Sequence, residues 1–246
     1  MTSLTSLQDG YRAWVFGARG GVGAAIVRLL DADPRCGAIH AGARTSPETA
    51  GKIRGFAFDL EDEPSIAAAI QEAASQGPPD LVFVATGMLH TEAQKPEKTI
   101  RAVDAGALAK SYAINAIGPA LIAKHAVTQL PRDRKSVFAA LSARVSSLSD
   151  NRSGGWHAYR ASKAALNMLV RNAALEVGLR NKAAVCVTLH PGTVDTPLSK
   201  PFQTGVAEGK LFTPQTSAAH LLRVIDSLTP ERTGELIAWD GQTIPF

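Results

Sequence analysis

The chain has 246 residues, of which 45% are apolar, and its formal net charge is +4 at pH 7. This length allows one large α/β domain or two small ones, and the apolar content is ample for a buried core. No run of about 18 apolar residues occurs, which excludes a membrane span, and two widely separated cysteines give no sign of an oxidising compartment.

The amino-terminal sequence and the distribution of charge indicate where the protein works. Residues 1–10 are polar and lack the basic start and apolar stretch of a secretory signal, so we expect a cytoplasmic protein. The basic residues are scattered, and their one dense cluster, Arg132, Arg134 and Lys135, is interpreted as a solvated loop. We therefore expect neither nucleic acid nor a membrane as a partner.

In chain order, the first half alternates strand and helix signals. A strand at 11–17 runs into the glycine-rich GARGGVG at 17–23, and helical spacing of Ile26, Leu29 and Leu30 follows until Pro34. Three further strand signals and one helix follow, with the strands at 38–44, 53–60 and 80–87 and the helix at 64–77.

The second half continues the alternation. Helices are predicted at 97–130, 156–178 and 214–228, and strands at 135–143, 183–192 and 234–241. A polar segment from 193 to 213 carries Pro and Gly. Because each crossover helix covers the sheet, the pattern predicts a single α/β domain over 1–246, a doubly wound parallel sheet of about seven strands with helices on both faces.

The glycine-rich loop is a candidate nucleotide site. Gly17, Gly21 and Gly23 fall between a strand and a helix, where glycines permit a tight turn and the helix N-terminus presents free N–H groups to a pyrophosphate. The spacing G-x-x-x-G-x-G differs from the commoner G-x-G-x-x-G. The second strand ends without the acid that would hold the ribose hydroxyls of NAD, whereas Arg44 and Arg19 can pair with a 2′-phosphate. NADPH is therefore predicted over NAD.

Tyr159 and Lys163 are a candidate acid–base pair. They stand one helical turn apart, so both side chains can project from one face. An ammonium beside a phenol favours the phenolate, and we expect Lys163 to lower the pKa of Tyr159 toward the working range of proton transfer.

Taken together, the motifs resemble the short-chain dehydrogenase/reductase family and its C-factor-like, carbonyl-reductase-like branch. The order GARGGVG, Asp59-Leu60, ATG at 85–87, Asn115, a serine cluster, YRASK and HPGTVDTP carries the resemblance over nearly the whole chain. It implies a Rossmann-type fold, a nicotinamide cofactor and hydride transfer between that cofactor and a carbonyl or alcohol substrate.

The resemblance also implies roles for particular residues. Tyr159 would move the proton, Lys163 would bind the nicotinamide ribose, Asn115 would hold a relay water, and His190 is interpreted as structural. The expected catalytic residues are Ser142, Asn115, Tyr159 and Lys163. The expected cofactor-binding residues are Gly17, Arg19, Gly21, Val22, Gly23, Arg44, Asp59, Leu60, Ala85, Thr86, Gly87, Tyr159, Lys163, Pro191, Gly192, Thr193, Val194 and Thr196.

The sequence departs from the family pattern in three places. Phe16 stands where a threonine usually precedes the first glycine, and Ala85 stands where an asparagine usually follows the fourth strand. The substrate-binding serine is ambiguous, since counting from Tyr159 reaches Ser146, while alignment with the branch puts Ala143 at that position. Ser142, which ends the strand, is preferred over Ser146 and Ser147, which belong to the turn.

The leading hypothesis is an NADP(H)-dependent oxidoreductase that uses Tyr159 as its acid–base group and needs no metal. The alternative is an NAD(P)-binding signalling or sensing protein with little turnover. Residues 194–213 are expected to form the substrate lid. The resemblance implies a homodimer or homotetramer paired through the helices at about 97–130 and 156–178, and the latter carries small residues that permit close packing.

Overall fold

The computed structural model describes residues 3–91 and 94–246, which build one eight-stranded sheet. Its strand order is β10-β9-β6-β5-β4-β1-β2-β3, and a separate two-stranded sheet pairs β7 with β8. The strands are β1 Tyr11–Phe16, β2 Cys36–Ala43, β3 Ile53–Ala57, β4 Leu81–Val84, β5 Ser136–Leu141, β6 Ala184–His190, β7 Thr193–Val194, β8 Leu211–Phe212, β9 Leu236–Ala238 and β10 Thr243–Ile244. All seven predicted strands are present, and the eighth, β10, is an antiparallel edge strand.

Helices cover both faces of the large sheet. They are α1 Gly21–Ala32, α2 Glu63–Ser75, α3 Ala105–Tyr112, α4 Gly118–Ala126, α5 His157–Arg180 and α6 Pro214–Ser227. Alternate residues of each strand enter opposite cores: Val15 packs with α1 and α6, while Trp14 and Phe16 pack with α2, α4 and α5. The doubly wound α/β fold is thus confirmed, and all parallel strands end at the edge where α1 and α5 begin.

Two helix boundaries differ from the sequence prediction. The helix expected at 97–130 begins only at Ala105, because Asp104 caps it by accepting the Ala107 N–H at 2.8 Å. It then passes through a π-helical turn, Ala113–Ile117, before α4. Helix α5 continues through Gly178 to Arg180, so that glycine does not end it.

The basic loop is less solvated than expected. Arg134 Nε contacts the buried Asp80 carboxylate at 2.7 Å. Lys135 Nζ donates to the backbone oxygens of Ile225 and Asp226 at 3.1 and 2.9 Å. Two of the three cations therefore tie β5 to its surroundings. Both cysteines are buried and free, and no helix among the described residues has the length and apolarity to cross a membrane.

Candidate active site

A cavity of about 810 Å³ opens at the carboxyl edge of the large sheet. The glycine-rich loop and Arg44 line one end of this cavity, and Tyr159 and Lys163 line another part of its wall. The segment after β6 closes a third side. The expected site residues that line it are Arg19, Gly21, Val22, Arg44, Ala85, Thr86, Gly87, Ser142, Tyr159, Lys163, Pro191, Gly192, Thr193, Val194 and Thr196.

The glycines of the loop stand where side chains do not fit. Gly17 has a φ of +86°, and a Cβ there would lie 3.0 Å from the carbonyl carbon of Ala85. A Cβ on Gly23 would lie 2.2 Å from the Gly17 carbonyl oxygen, and one on Gly21 would lie 2.5 Å from Thr196 Cγ2. The loop is therefore folded tightly on itself and against the segment after β6.

Phe16, the first departure from the family pattern, has a structural explanation. Its ring is buried and packs edge-on against Phe56 and Phe58, with centroids 5.5 and 5.2 Å apart. The loop is held instead by its backbone, because the N–H groups of Gly17 and Ala18 both donate to the Gly42 carbonyl at 2.9 Å. No threonine side chain is needed to anchor the turn.

The loop end of the cavity carries groups that can bind the phosphates of a nicotinamide dinucleotide. Helix α1 begins after Gly20 without a side-chain cap, which leaves its first N–H groups for a ligand. Arg19 and Arg44 are exposed at the cavity and form no ion pair with any residue in 3–91 or 94–246. The Thr86 hydroxyl is buried there without a described partner. These groups fit the phosphates of such a cofactor.

Tyr159 and Lys163 project from one face of α5 into the cavity wall. Lys163 is 2% exposed and donates from Nζ to the Leu141 carbonyl at 2.7 Å. Burial lowers the pKa of Lys163 to about 7, and burial raises the pKa of Tyr159 to about 12. The expected lowering of the tyrosine pKa is therefore wrong, because desolvation of the phenolate dominates.

Asn115 lies behind the wall, in the π-helical turn. Its amide nitrogen donates to the Met88 carbonyl at 2.8 Å and to Ser162 Oγ at 3.1 Å, while its Oδ1 accepts the Met88 N–H at 2.8 Å. A Cβ on Gly87 would lie 3.4 Å from Lys163 Nζ and 3.5 Å from Asn115 Oδ1. Asn115 thus joins the loop after β4 to α5, and its expected role toward a water stays a prediction.

Of the three candidate serines, only Ser142 lines the cavity, but its hydroxyl is already engaged. It donates to Asn167 Oδ1 at 2.7 Å, and Asn167 Nδ2 donates to Ser146 Oγ at 2.7 Å. Ser147 accepts the Asp150 N–H instead. In this arrangement the preferred Ser142 cannot donate to a substrate without breaking a buried hydrogen bond. Ala143 is the residue that packs with Tyr159.

An apolar wall that the sequence did not predict surrounds Tyr159. Trp156 contacts it with ring centroids 6.3 Å apart, and Phe202 packs against Trp156 at 4.9 Å. His90, after β4, packs against Phe202 at 5.5 Å. The wall is completed by Leu89, Ala143, Val145 and Leu198. The pair Gly154-Gly155 is a sequence signal for a sharp turn before Trp156. The contacts among Trp156, Phe202 and His90 join segments that are distant in sequence, so no local pattern predicts them.

A few expected residues lie away from the cavity lining. Asp59 is exposed beyond the end of β3, where its Oδ1 accepts the Glu61 N–H at 3.0 Å. Leu60 is buried against Gly118, where a Cβ would lie 2.4 Å from Leu60 Cγ. Their expected contact with an adenine ring stays a prediction. His190, interpreted as structural, lines the cavity, and burial lowers its pKa to about 4.

Comparison with known proteins places these features in context. A sequence profile described as short chain dehydrogenase matches residues 12–207. The chain is 38% identical over 144 residues to C-signal of Myxococcus xanthus, covering 58% of this chain and 81% of that protein. It is 33% identical over 184 residues to 1-hydroxy-2-glutathionyl-2-methyl-3-butene dehydrogenase of Rhodococcus sp., covering 74% of this chain and 76% of that protein.

The fold also matches solved structures. An NADPH-bound carbonyl reductase from chicken fatty liver superposes with a TM-score of 0.82 at 22% identity, covering 98% of this chain and 96% of the other. At this identity, the superposition establishes a shared fold and leaves the activity to be argued from the site.

Proposed function

The chain belongs to the short-chain dehydrogenase family, and from that premise we propose that it is an NADPH-dependent carbonyl reductase with Tyr159 as its proton donor. The observation that carries the proposal is the shared cavity: the glycine loop, Arg19, Arg44, Tyr159 and Lys163 all line it. The cofactor and the acid–base group would therefore both contact a substrate bound in this cavity.

The cofactor preference rests on charge. Arg19 and Arg44 offer two guanidinium groups, and β2 ends at Ala43 without a carboxylate to bind the 2′-hydroxyl of NAD. A carboxylate near a 2′-phosphate would repel it, whereas a guanidinium forms charge-assisted hydrogen bonds. Bound there, NADPH would supply the hydride for reduction of a carbonyl carbon.

Tyr159 would complete the reduction by giving its phenolic proton to the carbonyl oxygen. With its pKa raised to about 12 by burial, the hydroxyl is protonated at neutral pH and ready to donate. Lys163, held by the Leu141 carbonyl, would orient the cofactor ribose beside it. Asn115 would keep the loop after β4 in place against α5. This protonation state favours the reductive direction.

The cavity lining beside Tyr159 favours a substrate whose carbonyl group is attached to an apolar body. Trp156, Phe202 and Leu198 present hydrocarbon surface beside Tyr159, and Arg144 at the cavity is paired with Asp150 at 3.0 Å. We propose that residues 194–213 form the lid over this space, since Pro197 and Phe202 line the cavity and contact His90 in the loop after β4.

The proposal is tested by incubating the protein with NADPH and a panel of aldehydes and ketones while the absorbance of NADPH is followed. We expect turnover of aromatic and aliphatic carbonyl compounds such as benzaldehyde and little turnover of a charged one such as glyoxylate. NADH serves as the matched cofactor. No NADPH oxidation with any carbonyl compound would contradict the proposal.

A second candidate function is nucleotide-dependent sensing with little turnover. Ala143 beside Tyr159 offers no hydroxyl to a substrate oxygen, and the similarity to a protein named C-signal points the same way. Tight NADPH binding without oxidation by any carbonyl compound would favour this alternative.

We also propose that the protein works in the cytoplasm as a homodimer or homotetramer. Helix α5 exposes large apolar side chains that a partner subunit would cover, at Met168, Leu169, Leu175 and Leu179. Light scattering at micromolar concentration would test this, and a monomer would contradict it.

A further inference from the structure

Glu97 is a buried carboxylate far in sequence from Tyr159 and Lys163. It lies in the segment before α3 and is 6% exposed. Its backbone carbonyl accepts the Trp156 N–H at 2.5 Å, and its Oε2 accepts the Ala158 N–H at 3.2 Å. Glu97 therefore contacts the start of the helix that carries Tyr159, at two points.

That helix start has an unusual backbone. Gly154, Gly155 and Trp156 all have positive φ, of 60°, 66° and 50°, and Trp156 is the one non-glycine residue with positive φ in the described chain. A bulky residue in this left-handed region is strained, and surrounding contacts must hold it there. The carbonyl of Glu97 provides such a contact.

The same helix lacks a capping side chain of its own. Trp156 occupies the N-cap position and cannot accept a hydrogen bond from the first turn. The Glu97 carboxylate takes that role from outside the helix, because its Oε2 accepts the Ala158 N–H. Because the capped Ala158 immediately precedes Tyr159, the position of the phenol depends on this bond.

We propose that Glu97 is a positioning residue for the proposed carbonyl reduction, on which this inference rests. Its carbonyl holds Trp156 in the left-handed turn, and its carboxylate fixes the first turn of α5. Together these bonds set the distance between the indole wall and the Tyr159 hydroxyl. A substrate seated against Trp156 then meets the proton donor in a fixed geometry.

The carboxylate is not explained by stability alone. Glu97 Oε1 is buried, and no residue in 3–91 or 94–246 donates to it. An unsatisfied buried oxygen costs free energy, and a shorter exposed cap would bind the same N–H group without that cost. Asp104 does this for α3, where it accepts the Ala107 N–H at 2.8 Å and lines no part of the cavity.

Steady-state kinetics of Glu97 variants test the proposal, with Asp104→Ala as the matched loss of a cap. We expect Glu97→Ala to lower kcat by about 10- to 100-fold through misplacement of Tyr159. The Kd for NADPH should stay within about twofold, because the glycine loop is untouched. Glu97→Gln keeps an acceptor for Ala158 and should retain most of the activity, whereas Asp104→Ala should change kcat by less than about twofold.

Glu97→Asp keeps the charge but shortens the side chain by one methylene, and it tests the same point if Glu97→Ala does not fold. We expect Glu97→Asp to be less active than Glu97→Gln. The side chain must be long enough to accept the Ala158 N–H, and its charge is not required. The reverse order, or a kcat within about twofold of the wild type for both Glu97→Ala and Glu97→Asp, would overturn the proposal.

A spectroscopic measurement separates this inference from the proposed function. The chain has three tryptophans, so 5-fluorotryptophan labelling gives few fluorine NMR signals, and Trp156→Phe assigns the one of interest. We expect Glu97→Ala to move or broaden the Trp156 signal, and Glu97→Gln and Asp104→Ala to leave it in place. An unmoved signal in Glu97→Ala overturns the inference even if no carbonyl substrate is turned over.

Discussion

The two ends of the cavity are built in different ways. The end proposed for the cofactor consists of backbone and charged side chains: Gly17, Gly21 and Gly23 let the loop fold tightly, and Arg19 and Arg44 line the cavity. These five residues lie in two short segments, one between β1 and the first turn of α1 and the other directly after β2.

The end proposed for the substrate instead consists of side chains from distant segments. Phe202 from the proposed lid, Trp156 from the start of α5 and His90 from the loop after β4 form one aromatic row toward Tyr159. A change in any one of these segments can therefore alter the substrate wall while the cofactor end stays intact. Variants at the two ends should separate binding of NADPH from turnover.

The largest separation is expected for Tyr159→Phe. The ring and its contacts with Trp156 remain, but the proposed proton donor is lost, so kcat should fall by about 10²- to 10⁴-fold. Binding of NADPH, measured by fluorescence titration, should not change. Tyr112→Phe, at the end of α3 and outside the cavity lining, is the control. Full activity of Tyr159→Phe would refute the mechanism.

At the opposite end, Arg44→Asp should weaken NADPH binding by about 1.5–3 kcal/mol through loss of a charge-assisted contact. Binding of NADH should change far less, which isothermal titration calorimetry can compare directly. Arg28→Asp makes the same charge change on the exposed side of α1, away from the cavity, and should affect neither cofactor. Equal affinity of the unmutated protein for both cofactors would contradict the assignment.

The buried Lys163 between the two ends predicts a pH dependence of stability. Its pKa is lowered by burial from 10.5 to about 7, so between these values the unfolded chain binds more protons than the folded one. The free energy of unfolding should therefore rise with pH through this window. Relative to Lys163→Met, the wild type should gain more than about 1 kcal/mol between pH 7 and 9.5 in urea titrations. A fall over that range would show that Lys163 stays charged.

The smallest expected effect concerns the hydroxyl missing beside Tyr159. Ala143→Ser would add a donor next to the substrate oxygen, and we expect kcat/KM to rise about tenfold. Ser142→Ala and Ser146→Ala should each change kcat/KM by less than about tenfold, because both hydroxyls are held in the Asn167 network. A loss of about 2–4 kcal/mol of transition-state stabilisation in Ser142→Ala alone would show that Ser142 rotates to serve the substrate.

Many residues of the candidate site could be predicted from the sequence. The residues that could not be predicted have one feature in common. Arg44, Tyr159 and Lys163 were identified because each belongs to a local pattern of a few residues. Trp156 and Phe202 were missed, because their partners lie tens of residues away and no local spacing reports such contacts. The sign of the Tyr159 pKa shift was missed for the same reason, since burial is a property of the assembled fold.

The sequence by itself determined the seven parallel strands, the glycine loop and the Tyr159–Lys163 pair, because hydrophobic period and helical spacing are local properties of the chain. Only the tertiary structure decided that Ser142 donates to Asn167, that Ala143 faces Tyr159, and that Glu97 caps α5. Each of these contacts joins segments that the sheet brings together. Residues so far apart in the sequence become hydrogen-bond partners only through the packing of the fold.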